Sequence, residues 1–353
     1  LDFIMSPPSY YERQVGSGAE LYRRPMLSGT LRGKLWFHDN DLASYLFPKV
    51  MRRILDTPGM DPFITEERIP WVAEMIAVQP TALQTIWQFQ RAAGYTLCEG
   101  LSESYFDLHG GYYDDPRLIS ALGQIGAMLD RSKNYDRSSI AQVLVVADEM
   151  SASYSSYNGT AFGVHLSAHQ LGFMKAGAPF DSIFSEDLEL VNFDPYQMIV
   201  FLNAFHLTDA QRELINRKVK RPGKTIVWCY APGYFNGNTA SDKAMEDLTG
   251  IRIVSSTDET LIEPTSLLTD TGRKWMESPG EKPTGDPIGQ KGKVCKLFSV
   301  ADSQAEPLGT WTGSDAVTMA KKKVDGWTSI YLLSSVLPPE LVRALEKSAG
   351  VFI

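Results

Sequence analysis

Gly33-Lys34-Leu35-Trp36-Phe37-His38-Asp39-Asn40-Asp41 is the stretch on which the reading of the chain turns. Mostly apolar residues run into a cluster of hydrogen-bonding and titratable groups, as a buried parallel strand does where it emerges at a ligand-binding face. A second reading has Asp39-Asn40-Asp41 capping a helix that begins near Leu42, because Asp and Asn are preferred N-cap residues. The rest of the chain bears on the choice.

Outward from that stretch, residues 1–138 alternate short apolar runs with helical patterns. Leu1–Met5 reads as a strand ending at Ser6-Pro7-Pro8-Ser9, since the residue before a proline is pushed out of helix. Residues 18–30 read as helical, and Lys34–His38 is the next strand. The most helix-like part is 66–94, broken near Pro80 and stopped at Gly94. Ser104–His109 gives a further strand, closed by Gly110-Gly111-Tyr112-Tyr113-Asp114-Asp115-Pro116, and an amphipathic helix covers 116–131. This β-α-β-α-β rhythm has connections long enough for parallel pairing.

A polar stretch at Lys133–Ser139 marks a boundary. Beyond it Gln142–Ala147 and Met198–Asn203 are near-continuous apolar strands, with further strands at Ser182–Phe184, Thr225–Tyr230 and Ile251–Val254. Helices are expected over Val164–Ala176, Asp209–Lys218 and from Ser241 to Leu248. Five strands with helical crossovers over 139–257 predict an α/β, flavodoxin-like doubly wound parallel sheet. In 258–353, residues 270–293 read as an extended loop, and short strands at Lys296–Val300, Ala316–Lys321 and Ser329–Leu333 form a small β-rich tail. One C-terminal helix covers Pro339–Ala349, behind first-turn prolines.

The 353 residues leave room for two or three domains with a substantial core. A net charge of −8 and a pI near 5.3 argue against a nucleic-acid or anionic-membrane partner. Lys321-Lys322-Lys323 reads as a solvated strand edge, and no apolar run approaches the length of a membrane span. Cys98, Cys229 and Cys295 lie far apart with no CxxC, as buried thiols do, and neither a disulfide framework nor a zinc site is suggested. The chain starts at Leu1 inside an apolar stretch and stops at Val351-Phe352-Ile353, which reads as the opening of a strand; a fragment or processed chain is expected, and its compartment cannot be read.

A doubly wound sheet offers ligand sites at the carboxyl ends of its strands. Those ends read Asp148-Glu149-Met150-Ser151, Asn203-Ala204-Phe205-His206 and Ala231-Pro232-Gly233-Tyr234. No GxGxxG or P-loop is present, which argues against a nucleotide. The turn where an amidotransferase needs its thiol would be Asn203-Ala204-Phe205, without a cysteine. His206 fits a hydrogen-bonded turn histidine, and His165 and His169, spaced i, i+4, lack a third ligand, so neither metal nor cofactor is expected. The first segment is richer. Its strand ends carry Ser6, Tyr10 and Arg13; His38, Asp39, Asn40 and Asp41; Glu99 and Glu103; and Asp107, His109, Tyr112 and Tyr113, with Trp36, Trp71 and Trp87 in the same region. Carboxylates, aromatics and an arginine at the carboxyl ends of parallel strands are what sugar chemistry uses: one carboxylic acid protonates the glycosidic oxygen, another attacks or stabilises the anomeric carbon, and aromatic faces stack on the ring. Asp114-Asp115-Pro116 reads equally as a turn that opens a helix.

Leu31-Arg32-Gly33-Lys34-Leu35-Trp36 through Asp41, and Phe106-Asp107-Leu108-His109-Gly110-Gly111-Tyr112-Tyr113-Asp114-Asp115-Pro116, resemble the last strands of a beta-galactosidase-like clan A TIM barrel, nearest to glycoside hydrolase family 42. Tyr230-Ala231-Pro232-Gly233-Tyr234 and Leu248-Thr249-Gly250-Ile251 resemble the beta-galactosidase trimerisation domain, which has a class I glutamine amidotransferase-like fold without that chemistry. The resemblance implies three parts: the C-terminal part of a (β/α) barrel over 1–138, a trimerisation domain over 139–257 and a β-rich appendage over 258–353.

By that resemblance Lys34–His38 is the seventh barrel strand, whose end carries the nucleophilic glutamate in such enzymes; Asp39, one methylene shorter, stands there. A whole barrel takes about 250 residues, so the acid/base of the fourth strand falls outside this chain. The implied function is a retaining glycoside hydrolase acting on β-galactoside-like or related glycosides, with Asp39 catalytic. His38, Asp41, Asp107, His109 and Trp36 are expected to bind sugar, and Tyr10 and Arg13 to orient the carboxylate. A carbohydrate substrate and a homo-oligomer, trimer before dimer, are implied as partners. The competing class is a non-catalytic carbohydrate-binding or assembly protein that retains a degenerate barrel.

Overall fold

A computed structural model describes residues 2–8, 13–17, 25–59, 64–154, 166–237, 239–258, 262–277, 287–289, 294 and 296–353. The chain divides into two compact units, Leu1–Arg23 with Arg32–Ser139, and Arg24–Leu31 with Ile140–Ile353. Helix α1 (Met26–Leu31) thus belongs to the second unit, although in sequence it interrupts the first.

Three parallel strands organise the first unit: β1 (Phe3–Ser6), β2 (Leu35–Asn40) and β3 (Ser102–Tyr105), with β2 in the middle. The opening stretch is therefore strand through Asn40, and Asp39 is not a helix cap. Helices α2 (Phe47–Leu55), α3 (Ile69–Met75) and α4 (Ala82–Cys98) run between β2 and β3, and α5 (Pro116–Ser132) follows β3. Thr81 and Asp115 cap α4 and α5 by accepting the backbone N–H groups of Gln84 and Arg117. The unit's core gathers Phe47, Met51, Phe89, Ala92, Leu118 and Ile125. Helix α4 continues through Gly94, where a stop was expected. Ala92, Ala93 and Thr96 bury its inner face, which outweighs the roughly 1 kcal/mol cost of one helical glycine. The chain leaves the helix at Gly100, in the left-handed region with φ +67°. Among the described residues the sheet is open, and no closed barrel is formed.

In the second unit, β4 (Val143–Ala147), β5 (Phe180–Phe184), β6 (Met198–Phe201) and β7 (Thr225–Cys229) come first. A small hairpin, β8 (Phe235–Asn236) with β9 (Thr239–Ala240), follows, and then β10 (Ile253–Ser255), β11 (Thr265–Leu268), β12 (Ile288–Gly289), β13 (Phe298–Val300), β14 (Glu306–Trp311), β15 (Val317–Val324) and β16 (Trp327–Leu332). Nine of these make one sheet in the order β12-β11-β14-β15-β16-β7-β6-β4-β5. From β16 to β5 the pairings are parallel, and from β12 to β16 antiparallel. Numbered along the chain, the five parallel strands β5-β4-β6-β7-β16 stand in the order 2-1-3-4-5, one of the two common doubly wound orders.

The fifth parallel strand is β16. Residues 251–254, expected in that place, contribute instead to β10, which pairs with β13 outside the large sheet. Of the strands after 257, β11, β12, β14, β15 and β16 thus belong to the main sheet. Every residue of β16 is buried, as a strand covered on both faces requires. Strand β14 was not expected at all, because Pro307 and Gly309 punctuate it as a loop; the ladder absorbs them as register shifts at those residues. Lys321 and Lys322 project from β15, inside the sheet, and pair with Glu306 at 3.0 Å and Asp302 at 2.7 Å.

Successive side chains of a strand point to opposite faces, and both faces of this sheet are covered. Leu144, Val146, Phe201 and Trp228 pack in one core with residues of α8 (Asp209–Leu214) and α9 (Asp242–Thr249). Val143, Val145, Val200 and Cys229 pack in the other with α7 (Leu166–Ala176) and α11 (Pro339–Ser348), flanked by Trp275 of α10 (Asp270–Met276). The short α6 (Glu149–Ala152) opens at the end of β4. No helix among the described residues is long and apolar enough to cross a membrane.

Candidate functional site

The alternation of β2 sorts the opening stretch into two sets. Trp36, His38 and Asn40 are buried, whereas Leu35, Phe37 and Asp39 point to the other face. The buried set meets α4, since His38 Nδ1 lies 3.0 Å from Thr96 Oγ1. Register pairs His38 with Glu103 and Asn40 with Tyr105, and Tyr105 stacks edge-on against Phe89 of α4 at 5.2 Å. Burial pushes the Glu103 carboxyl above its ordinary value, opposed by the polar groups of Tyr105, Thr96 and Asn40. His38 and Trp36, both expected to bind sugar, therefore belong to the helix side.

Asp39 faces the other way, across from its register partner Ser104. The Ser104 hydroxyl donates to Asp39 Oδ1 at 3.0 Å. Below them on the same face lie Phe3, Met5, Leu35 and Phe37, of which Phe3 and Met5 are about half exposed (49% and 52%); the rings of Phe3 and Phe37 meet edge-on at 5.3 Å. An apolar sheet surface thus ends in one carboxylate and one hydroxyl at the carboxyl ends of parallel strands. Such a group can attack or stabilise an electrophilic carbon, or accept hydrogen bonds from a polyhydroxyl ligand.

The other expected site residues are held in loops. Arg13 is buried and pairs with Asp41 at 2.6 Å, tying the segment after β1 to the end of β2. Asp107 closes the loop after β3, accepting from the backbone N–H groups of Gly111 at 2.7 Å and Tyr112 at 3.2 Å. His109 packs edge-on to Tyr112, its pKa lowered by burial, and Arg53 donates to the carbonyls of His109 and Gly110. Tyr10 lies outside the described residues. Trp71 and Trp87 are exposed. Ser104 is not among the expected site residues, although period two puts Ser102 and Ser104 on Asp39's side once β3 is paired with β2.

At the carboxyl ends of the second unit's strands the polar groups satisfy one another. Asp148 caps α6 through Ser151 N–H and accepts from the Ser185 hydroxyl. The Asn203 amide bridges Asp148 in both directions, donating to its carbonyl at 2.8 Å and accepting its N–H at 2.7 Å. The His206 ring stacks on Tyr154 at 5.2 Å, and its backbone N–H donates to Ser151 Oγ. Cys229 is buried within β7, where burial pushes its thiol far up. The left-handed backbone at the strand ends belongs to Tyr230, φ +61°, whose carbonyl accepts from the Tyr331 hydroxyl at 2.7 Å. His165, the His169 side chain and Cys295 lie outside the described residues. Among the described residues no cluster of three metal-ligating His, Cys, Asp or Glu side chains occurs.

Neither a family model nor a curated protein matches the sequence. Solved structures do match the fold. The cold-adapted beta-galactosidase from Rahnella sp. R3 superposes with a TM-score of 0.56 at 16% identity, over 78% of this chain and 43% of its own. Gan42B, a GH42 beta-galactosidase, gives 0.54 at 12% identity over 75% and 40%. A beta-galactosidase from the haloarchaeon Halorubrum lacusprofundi gives 0.53 at 16% identity over 78% and 42%. The chain spans about two fifths of the length of these structures, and its mixed α/β fold is similar to theirs.

Proposed function

We propose that the chain is part of a retaining glycoside hydrolase acting on β-galactosides or related glycosides. In this reading the first unit is the C-terminal part of a (β/α) barrel, and the second is a flavodoxin-like oligomerisation domain of a homo-oligomer, a trimer before a dimer. The observation that carries it is the position of Asp39: a carboxylate at the carboxyl end of a parallel strand, on a face whose lower rows are apolar as a barrel interior is. The strand order 2-1-3-4-5 and the likeness in fold to beta-galactosidases support the same reading.

Asp39 is the proposed nucleophile. Retaining chemistry needs a second carboxyl about 5–5.5 Å away to protonate the leaving oxygen. Glu103 faces the helices, Asp41 is paired with Arg13 and Asp107 closes its loop, so the acid is proposed to come from a strand other than β1–β3. Asp41, Asp107, His109 and Arg13 then act around the pocket, shaping its rim. A non-catalytic carbohydrate-binding or assembly protein is the second reading, favoured by the shorter aspartate in place of glutamate.

The test is hydrolysis of aryl β-galactosides by the full-length protein. Asp39→Asn is expected to lower kcat by roughly 10³-fold or more while sugar binding persists. Near-normal turnover in that variant removes Asp39 from the chemistry. Sugar binding without turnover in the unmutated protein supports the second reading.

A further inference from the structure

Asp39 receives its hydrogen bond from one defined place. Ser104 is its direct neighbour across the β2–β3 ladder, and the pairing on either side, Phe37 with Ser102 and Asn40 with Tyr105, fixes the backbone of both residues. The Ser104 hydroxyl lies 3.0 Å from Asp39 Oδ1. Its other acceptor within reach is Met5 Sδ at 3.8 Å, a weak one. A carboxylate outcompetes a thioether for the same proton, so the hydroxyl stays with Asp39. Arg13 is engaged by Asp41, and His38 lies on the opposite face. Among the described residues no other side chain bonds this carboxylate.

We infer that Ser104 is a positioning residue: by holding Oδ1 it fixes the rotation of the Asp39 carboxylate and presents Oδ2 to a ligand on the open face. This deepens the glycosidase reading and rests on it for the word ligand. Asp has two side-chain torsions, and one bond from a ladder partner is enough to remove the second. The shorter side chain of aspartate leaves little slack, so losing the clamp matters more here than for a glutamate reaching from the same place.

The test separates the clamp from the chemistry. With Asp carboxyl carbons labelled with carbon-13, the Asp39 resonance, assigned by its loss in Asp39→Asn, is compared at pH 7 among the unmutated protein, Ser104→Ala and Ser104→Thr. The expected result is a displaced resonance in Ser104→Ala and restoration in Ser104→Thr, which keeps the hydroxyl, with melting temperatures confirming that all three are folded. On aryl β-galactosides, Ser104→Ala is expected to lose about tenfold in kcat with KM little changed. An unmoved resonance in Ser104→Ala overturns the positioning role even in an active enzyme. A resonance that moves in a protein that neither binds nor cleaves a galactoside overturns the glycosidase reading and leaves the Ser104–Asp39 bond standing.

Discussion

His38 and Asp39 are adjacent in the chain and have opposite surroundings. One is buried with its ring against Thr96, and the other meets Ser104 on an open face. Asp41, two residues on, is committed differently again. Its partner Arg13, 2.6 Å away, is 1% exposed, so removing the carboxylate charge weakens an ion pair whose cation is desolvated. Asp41→Asn is expected to destabilise the first unit by roughly 3 kcal/mol, measured as a shift in urea midpoint. A change in sugar affinity with unchanged stability would instead return Asp41 to the binding set. The sequence made Asp39 visible, because an apolar run ending in carboxylates announces a strand end. It could not show the partners: Arg13 is 28 residues from Asp41, and Ser104 is 65 from Asp39. Such pairs depend on which strand lies beside which and in what register, and no single strand carries that information.

Among the elements, two helical glycines separate local propensity from close packing. Gly94 lies in α4 with nothing within 4 Å of where a Cβ would stand. Gly94→Ala is therefore expected to stabilise the first unit by about 0.5–1 kcal/mol through the entropy of the unfolded chain. Gly172 lies in α7, where a Cβ would come within 2.0 Å of the Leu337 carbonyl oxygen. Gly172→Ala must push α7 away from that backbone and is expected to lower the melting temperature by several degrees. Equal effects of the two alanines in thermal melts would refute this account. The same contrast explains what could be read of the elements. Composition fixes helix existence, but the end of α4 depends on buried Ala92, Ala93 and Thr96, and β14 depends on neighbours that tolerate its Pro307 and Gly309.

For the molecule as a whole, the cores decide how it comes apart. Phe47, Phe89 and Leu118 belong to a cluster confined to the first unit, and the two clusters flanking the large sheet are confined to the second. Separate cores make separate cooperative units, so denaturant unfolding is expected in two steps, with Asp41→Asn moving one of them. Glu346 identifies the other. It lies on α11 fully buried, and among the described residues neither carboxylate oxygen has a hydrogen-bond partner. Burial pushes its pKa from 4.5 up to about 7, partly opposed by Arg343. Between those values the folded state holds a proton that the unfolded chain has released, so the contribution of Glu346 to stability is greatest below about 4.5, falls as the pH rises, and levels off above about 7. Glu346→Gln removes that loss. It is expected to match the unmutated protein near pH 4.5 and to exceed it by roughly 3 kcal/mol at pH 8, in the second-unit transition alone. Coincident shifts of both transitions, by either variant, would show that the two cores unfold as one.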